Sequence, residues 1–402
     1  MKEAIYDQLR NQLDKLYRME FYRDKLNKAG IKPSEIRRQD DFTKIPFTTS
    51  QELLKELKKK PSQCSLYSQN VTRVNFSPSG SDLYPVYHTK DDIERMCEAC
   101  RPSLEAAGIT ENDICAVTFG YHIFVAGLFY QTQLEYYGAK VMPIGPGESE
   151  RTAKLIDMFN VSVLVANPTF AMKIAEKGVS SVRVLFVGGE PFTCVDGYSE
   201  RIRRAFGKDL TVIDSYSMAL CLPVARSCRF EKGLHLVDDF VYAEIVDPLT
   251  GQILDAGEKG ELVLTHINKD AVPLLRYRTG DLTFIEKKRC ECGRELTFPK
   301  GILGRTDEMI KVKGVKFWPS QVGNILREFS GLTGRYRVVV HSGKGTDTIT
   351  LIVEQKKGGD VRPETVQSRL KQETLVSPNK IILVEELGEG PLVIHEGNGR
   401  AL

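Results

Sequence analysis

The chain of 402 residues is 41% hydrophobic and 27% charged, which excludes a disordered or fibrous protein and leaves room for two or three domains with substantial cores. Lys and Arg number 56 against 53 Asp and Glu, a net charge of +3, too small for a broad polyanion-binding face, so nucleic acid is not an expected partner. Nine cysteines, an odd count in a chain without an export signal, argue against a disulfide framework and for reduced thiols, some of them serving a metal.

Residues 1–60 are polar with helical spacing and hold no apolar stretch of signal-peptide length. No later run approaches a membrane span, so a cytoplasmic protein without membrane contact is expected. Pro46 imposes an extended segment inside this region. Between 113 and 188, apolar runs at 114–119, 141–144, 162–165 and 182–187 alternate with amphipathic helical windows such as 150–158. That rhythm predicts parallel strands with helices on both faces of a sheet. Beyond Val237 the texture turns β-rich, with strands expected at 241–246, 260–265 and 282–286 between Gly, Pro and Asp turns. Residues 301–314 read as a charged linker, and from Phe317 the pattern is helix, strand, strand, helix, strand. The expected fold class is α/β: a large N-terminal domain, 1–306, of parallel-sheet βα layers with a β-rich subdomain near 228–300, and a small α+β C-terminal domain, 307–402.

Two segments carry the most specific signal: Leu275-Arg276-Tyr277-Arg278-Thr279-Gly280-Asp281-Leu282, and Gly304-Arg305-Thr306-Asp307-Glu308-Met309-Ile310-Lys311-Val312-Lys313-Gly314. With Phe317-Trp318-Pro319-Ser320-Gln321-Val322, Phe21-Tyr22-Arg23, Pro46-Phe47-Thr48-Thr49 and Gly188-Gly189-Glu190-Pro191, they resemble the phenylacetate-CoA ligase branch of the adenylate-forming enzymes over nearly the whole chain.

The resemblance implies that ATP and an aryl or acyl carboxylic acid give an acyl-adenylate, and that coenzyme A or a carrier-protein thiol then displaces AMP as a thioester forms. It gives Asp281 the two ribose hydroxyls of ATP or AMP, which a strand-end carboxylate accepts through charge-assisted hydrogen bonds. It makes Gly189, Glu190 and Pro191 the adenine wall and Tyr216 the aromatic stacked on the base. Asp307 becomes the pivot of a hinge on which the small domain swings, with Arg305 beside it. The acid enters along 119–127, where Tyr121, His122, Phe124 and Gly127 form an aromatic, glycine-punctuated pocket. Taken singly, each feature is ordinary: an Asp after Gly is a turn, a Gly pair after a strand is a turn, and a lone His on an apolar run is structural.

The triphosphate half of the pattern is broken. Ser79, Gly80 and Ser81 keep the start of the phosphate loop, but its Thr-Gly-Lys portion is Asp82-Leu83-Tyr84, and Asp82 brings the wrong charge to a polyphosphate. Where relatives place a magnesium-holding Glu this chain has Ala219 or Leu220, and where they place an adenylating Lys it has Asn398. Arg400 or Lys380 could supply the missing cation, and Asp214 or Glu190 the missing magnesium contact, so magnesium is left open. The departures keep two rival readings in view: a member that has lost adenylation and binds or transfers a preformed acyl thioester or adenylate, and a non-catalytic scaffold. An acyl carrier protein and a homodimer are carried as candidate partners.

Cys228, His235, Cys290 and Cys292 add a separate expectation. Three thiolates and an imidazole make a closed tetrahedral set, structural zinc in character. Cys194 and Cys221 read as core.

Overall fold

The computed structural model describes residues 2–79, 82–207, 209–286, 288–306, 310–312, 315–317, 319–341, 348–374, 378–388 and 392–396. The chain divides into two compact units, Met1–Thr279 with Thr283–Ile302, and Gly280–Leu282 with Leu303–Leu402. Among the described residues no helix is long and apolar enough to cross a membrane.

The first unit is built on a seven-stranded sheet. In spatial order its strands are Lys140–Pro143, Ile114–Val117, Val163–Ala166, Val184–Gly188, Thr211–Met218, Cys221–Arg226 and His235–Leu236. The first five run parallel, the sixth turns back antiparallel to the fifth, and the seventh pairs antiparallel with the sixth. Continuous apolar strands such as Val163–Ala166 are buried at every position because helices cover both faces. Alternation sorts their side chains: Val163, Val165 and Phe186 pack with Phe129, Tyr130 and Cys100 from the helices Val125–Tyr137 and Lys90–Ala106, while Leu164, Ala166 and Val187 pack with Ile156, Ile174 and Ile202.

The expected strand at 282–286 lies earlier, at Tyr277–Thr283, because the Gly, Asp and Thr that read as turn residues are paired on a ladder. The segment ending at Tyr277 also explains why two distant sequence signals occur together. Thr48 N–H donates to the Arg276 carbonyl at 2.9 Å and Arg278 N–H to the Thr48 carbonyl at 3.0 Å. The buried Arg276 guanidinium pairs with Glu244 at 3.0 Å and donates to the Thr43 and Ile45 carbonyls at 2.6 Å. Arg276 is thus a clamp on the 43–48 segment.

A hairpin, Val71–Ser79 with Asp82–Thr89, runs antiparallel and sets Ser79 opposite Asp82, so the phosphate-loop residues fall at its tip. Gly80 and Ser81 lie outside the described residues. The helix Lys90–Ala106 follows, started by a capping box between Thr89 and Asp92.

The second unit has a four-stranded sheet in the order Lys380–Val384, Thr348–Gln355, Leu332–His341, Val393–Glu396. Val322 and Leu326 from Pro319–Leu326, with Val366 and Leu370 from Pro363–Thr374, close its core over Val338, Val340, Leu351 and Val353. The final strand, Val393–Glu396, extends the pattern expected after Phe317 and pairs parallel with Leu332–His341.

Candidate active site and metal centre

A cavity of about 240 Å³ opens beside the carboxyl ends of the parallel strands of the first unit, the usual ligand position in such sheets. Phe76, Phe119, Phe124, Phe129 and Tyr130 give its wall five aromatic rings, and Ser77, Ser215 and Ser217 bring hydroxyls to it. Phe119 and Tyr130 stack at 5.2 Å. An apolar cavity of about 150 Å³ accommodates benzene, so this one has the volume of a ring with a short side arm.

Of the residues expected around the acid, Phe124 lines the cavity, whereas Tyr121, His122 and Gly127 do not. The physical reason is local. The helix starts only at Val125, so the preceding turn carries His122 outward into solvent, while Tyr121 packs against Gly145. Gly127 has a backbone duty: its N–H donates to the Gly120 carbonyl at 3.1 Å, and a Cβ there would stand 2.7 Å from that oxygen. Phe76, Phe129 and Tyr130, which sequence reasoning missed, come from the hairpin and from the next turn of the same helix. The signal for Phe129 and Tyr130 was the continued aromatic spacing beyond 127; nothing local marked Phe76.

The turn of Gly189, Glu190 and Pro191, expected to wall the adenine, is shaped by its own bonds. Gly189 has φ +77°, and a Cβ on it would approach Asn167 Nδ2 to 2.8 Å. Glu190 accepts from the Thr169 N–H at 3.0 Å and hydroxyl at 2.7 Å, which places it at the start of the helix Pro168–Ala175. Pro191 is exposed and Tyr216 half-buried on Thr211–Met218.

Next to it, Asp214 is buried and accepts from the Thr193 N–H at 3.1 Å and hydroxyl at 2.5 Å. Burial pushes its carboxyl up to about 6 in spite of those bonds. A folded-state value above the unfolded one means that the native protein holds the proton more tightly. The associated stability is present below about pH 4 and is lost as pH rises through about 6, on the order of 3 kcal/mol in all. Asp214→Asn is therefore expected to gain stability relative to the wild type between pH 4 and pH 7, read from urea unfolding midpoints. A constant difference across that range would contradict it.

Within the second unit, Asp281 accepts from Arg305 Nη1 at 2.7 Å, and the two residues face each other across an antiparallel pair. Gly280, at φ +76°, lets the guanidinium approach, since a Cβ would lie 2.8 Å from Arg305 Nη2. Asp307, Asn398 and Arg400 lie outside the described residues. Ser79 is on the hairpin strand. Of the two residues expected where relatives hold magnesium, Ala219 lines the cavity and Leu220 is buried in the core, and neither side chain offers a ligand.

Four more side chains converge away from the cavity. Cys228 follows the strand Cys221–Arg226, His235 opens His235–Leu236, and Cys290 and Cys292 occupy the turn between Lys288–Arg289 and Glu295–Leu296. Gly233, φ +131°, permits this: any Cβ would stand 2.6 Å from Pro299 Cα. The ligand atoms lie within 4.8 Å of one another, with Cys228 and Cys290 sulfurs 3.7 Å apart and Cys292 Sγ 3.5 Å from His235 Nε2. Tetrahedral zinc–sulfur bonds of ~2.3 Å require sulfurs about 3.7 Å apart, so the set fits a zinc. His235 Nδ1 lies 2.7 Å from the Glu295 carbonyl, which draws the ring proton there and leaves the Nε2 lone pair for the metal.

Comparison with known proteins agrees with this architecture. Residues 85–268 match the AMP-binding enzyme family and residues 314–387 the AMP-binding enzyme C-terminal domain. The phenylacetate-coenzyme A ligase of Thermus thermophilus is 34% identical over 351 residues, 84% of this chain and 77% of the relative. That of Escherichia coli is 31% identical over 84% of this chain and 78% of its own. The fold is shared with a 2-hydroxyisobutyryl-CoA ligase solved in the postadenylation state with 2-HIB-AMP, at a TM-score of 0.84 and 22% identity over 98% of this chain and 89% of that one. The chain is an AMP-binding, adenylate-forming enzyme and belongs to the phenylacetate-CoA ligase family.

Proposed function

We propose that the chain converts an arylacetic acid, phenylacetate being the first candidate, into its coenzyme A thioester through an acyl-adenylate. The observation that carries the substrate class is the ring-sized aromatic cavity, together with the phenylacetate-CoA ligase relatives. A carboxylate oxygen attacks the α phosphorus of ATP and pyrophosphate leaves. The sulfur of coenzyme A, giving up its proton, then attacks the acyl carbon and AMP departs. Gly189, Glu190, Pro191 and Tyr216 would hold the adenine, Asp281 the ribose, and Ser79, Gly80 and Ser81 the phosphates. Asp307 and Arg305 would form the hinge, with Arg400 the candidate cation at the reacting phosphate.

A structural zinc on Cys228, His235, Cys290 and Cys292 belongs to the same reading. Its closed ligand set leaves no position for water, so the ion would contribute folding energy rather than reactivity. Coenzyme A is the acceptor favoured over a carrier-protein thiol, because the relatives' names specify it.

The nucleotide site is tested by calorimetric titration with AMP. Asp281→Ala is expected to weaken binding by about 3 to 6 kcal/mol, the value of a pair of charge-assisted hydrogen bonds at about 1.5 to 3 each. Unchanged affinity would move the ribose site elsewhere.

A further inference from the structure

Arg226 is among the largest fully buried side chains of the first unit. Its Nε donates to Ser215 Oγ at 3.2 Å, Nη1 donates to Ser103 Oγ at 3.0 Å, and Nη2 has no partner. Among the described residues no carboxylate lies within ion-pair distance of it. A buried charge without a counterion is costly and is rarely kept for stability alone.

Its surroundings supply partial compensation only. The guanidinium lies 5.5 Å from the Phe129 ring and 5.7 Å from those of Tyr130 and Phe186, contacts that attract a cation without neutralising it. Two thiols, Cys97 and Cys100, interact with its charge, but burial pushes them up to about 12 and about 11, so both stay neutral. Asp214 precedes Ser215 on the strand, yet strand alternation turns its carboxylate to the opposite face, against Thr193. The charge is therefore unbalanced on the cavity side.

Ser215 and Arg226 are direct partners across the antiparallel strands. Ser215 and two of the three rings, Phe129 and Tyr130, are cavity wall. The cation thus stands one layer behind an apolar pocket that must receive an anion. Ser77, Ser215 and Ser217 bring hydroxyls to the wall but no charge, so the desolvation of an entering carboxylate is compensated in part only.

We propose that Arg226 is a positioning residue that makes the cavity select an ionised carboxylic acid, acting through the Ser215 hydroxyl and across the aromatic wall. The inference rests on the proposed acid-ligase reading and names what distinguishes the acid from its neutral analogues. Until the acid binds, the positive charge has no counterion. Once the acyl-adenylate has formed, the acyl group is neutral and this attraction ends, which favours release of the carboxylate into reaction.

The experiment is calorimetric titration of phenylacetate and of its neutral isostere phenylacetamide, with and without AMP, into the wild type, Arg226→Met and Arg226→Lys. A unit charge acting across roughly 8 Å of protein is expected to favour the acid by about 10- to 30-fold in the wild type. That preference should vanish in Arg226→Met and survive in part in Arg226→Lys, with phenylacetamide affinity unaltered in all three. Arg226→Met should fold, because an apolar side chain of similar volume removes an unbalanced charge, and a thermal melt verifies it. Loss of affinity for both compounds alike would show a packing role and overturn the inference, as would an undiminished preference in Arg226→Met. Should Arg226→Met fail to fold, Arg226→Lys decides the matter: a preference for the acid no larger than that of a neutral cavity overturns the inference. If the wild type binds neither compound, the acid-pocket reading itself fails, and this inference with it.

Discussion

Gently purified protein is expected to carry one zinc per chain, and Cys290→Ser to lose both the metal and more than about 4 kcal/mol of stability, a loss of the size reserved for events such as removal of a metal. The reason is how little else holds this region. The strands Lys288–Arg289 and Glu295–Leu296 share only the pairs Lys288 with Leu296 and Arg289 with Glu295. The local cluster of buried apolar groups is made of Cys228 and Cys290 themselves, with Phe230 and Cys292 packed against them. Without a metal, the three sulfurs and the imidazole are joined to one another by weak thiol hydrogen bonds. With one, the binding energy becomes folding energy. Elemental analysis and unfolding curves before and after chelation measure this. Metal-free protein with an unchanged melt, in the wild type or in Cys290→Ser, would reject the centre.

The second large effect concerns the triphosphate. Adenylation brings a carboxylate to an α phosphate while pyrophosphate leaves, so cations must offset three groups of negative charge. On the proposed assignments, the magnesium position falls on Ala219 or on the buried hydrocarbon Leu220, Tyr84 stands where the phosphate loop of relatives has a lysine, Asp82 adds a negative charge, and Asn398 stands where they have the final ammonium. Loss of one such electrostatic group slows a reaction by about 10² to 10³. Preformed phenylacetyl-adenylate and coenzyme A are therefore expected to react at least ~10² faster than the complete mixture of acid, Mg·ATP and coenzyme A turns over. AMP should bind more tightly than Mg·ATP, and Asn398→Lys alone should not restore full activity. Rapid exchange of pyrophosphate into ATP by the unmodified protein would contradict this and give Arg400 or another cation the role.

The parallel sheet was legible because its strands are buried on both faces and so read as short unbroken apolar runs, as at Val163–Ala166. The knot of Cys228, His235, Cys290 and Cys292 was legible from ligand type alone. What escaped depended on distance in space. The hairpin Val71–Ser79 with Asp82–Thr89 was read only as a phosphate loop, since its polar and apolar residues alternate imperfectly. The helix Lys90–Ala106 carries Pro102 inside it, which obscures a helical pattern, although the Thr89 and Asp92 capping box marked its start. Phe124 lines the cavity and His122 does not, because sequence adjacency does not reveal where a turn ends and a helix begins. Arg226 escaped altogether: nothing in Ala225-Arg226-Ser227 announces that a charged side chain is buried among three aromatic rings.

The most direct test of the account is one incubation: phenylacetate, Mg·ATP and coenzyme A with the unmodified protein, followed by mass spectrometry for enough time to register slow turnover. The account predicts phenylacetyl-CoA and AMP in equal amounts, accumulating slowly and faster once phenylacetyl-adenylate is supplied. Thioester formed without AMP, ADP in place of AMP, or no thioester even from the preformed adenylate would contradict it.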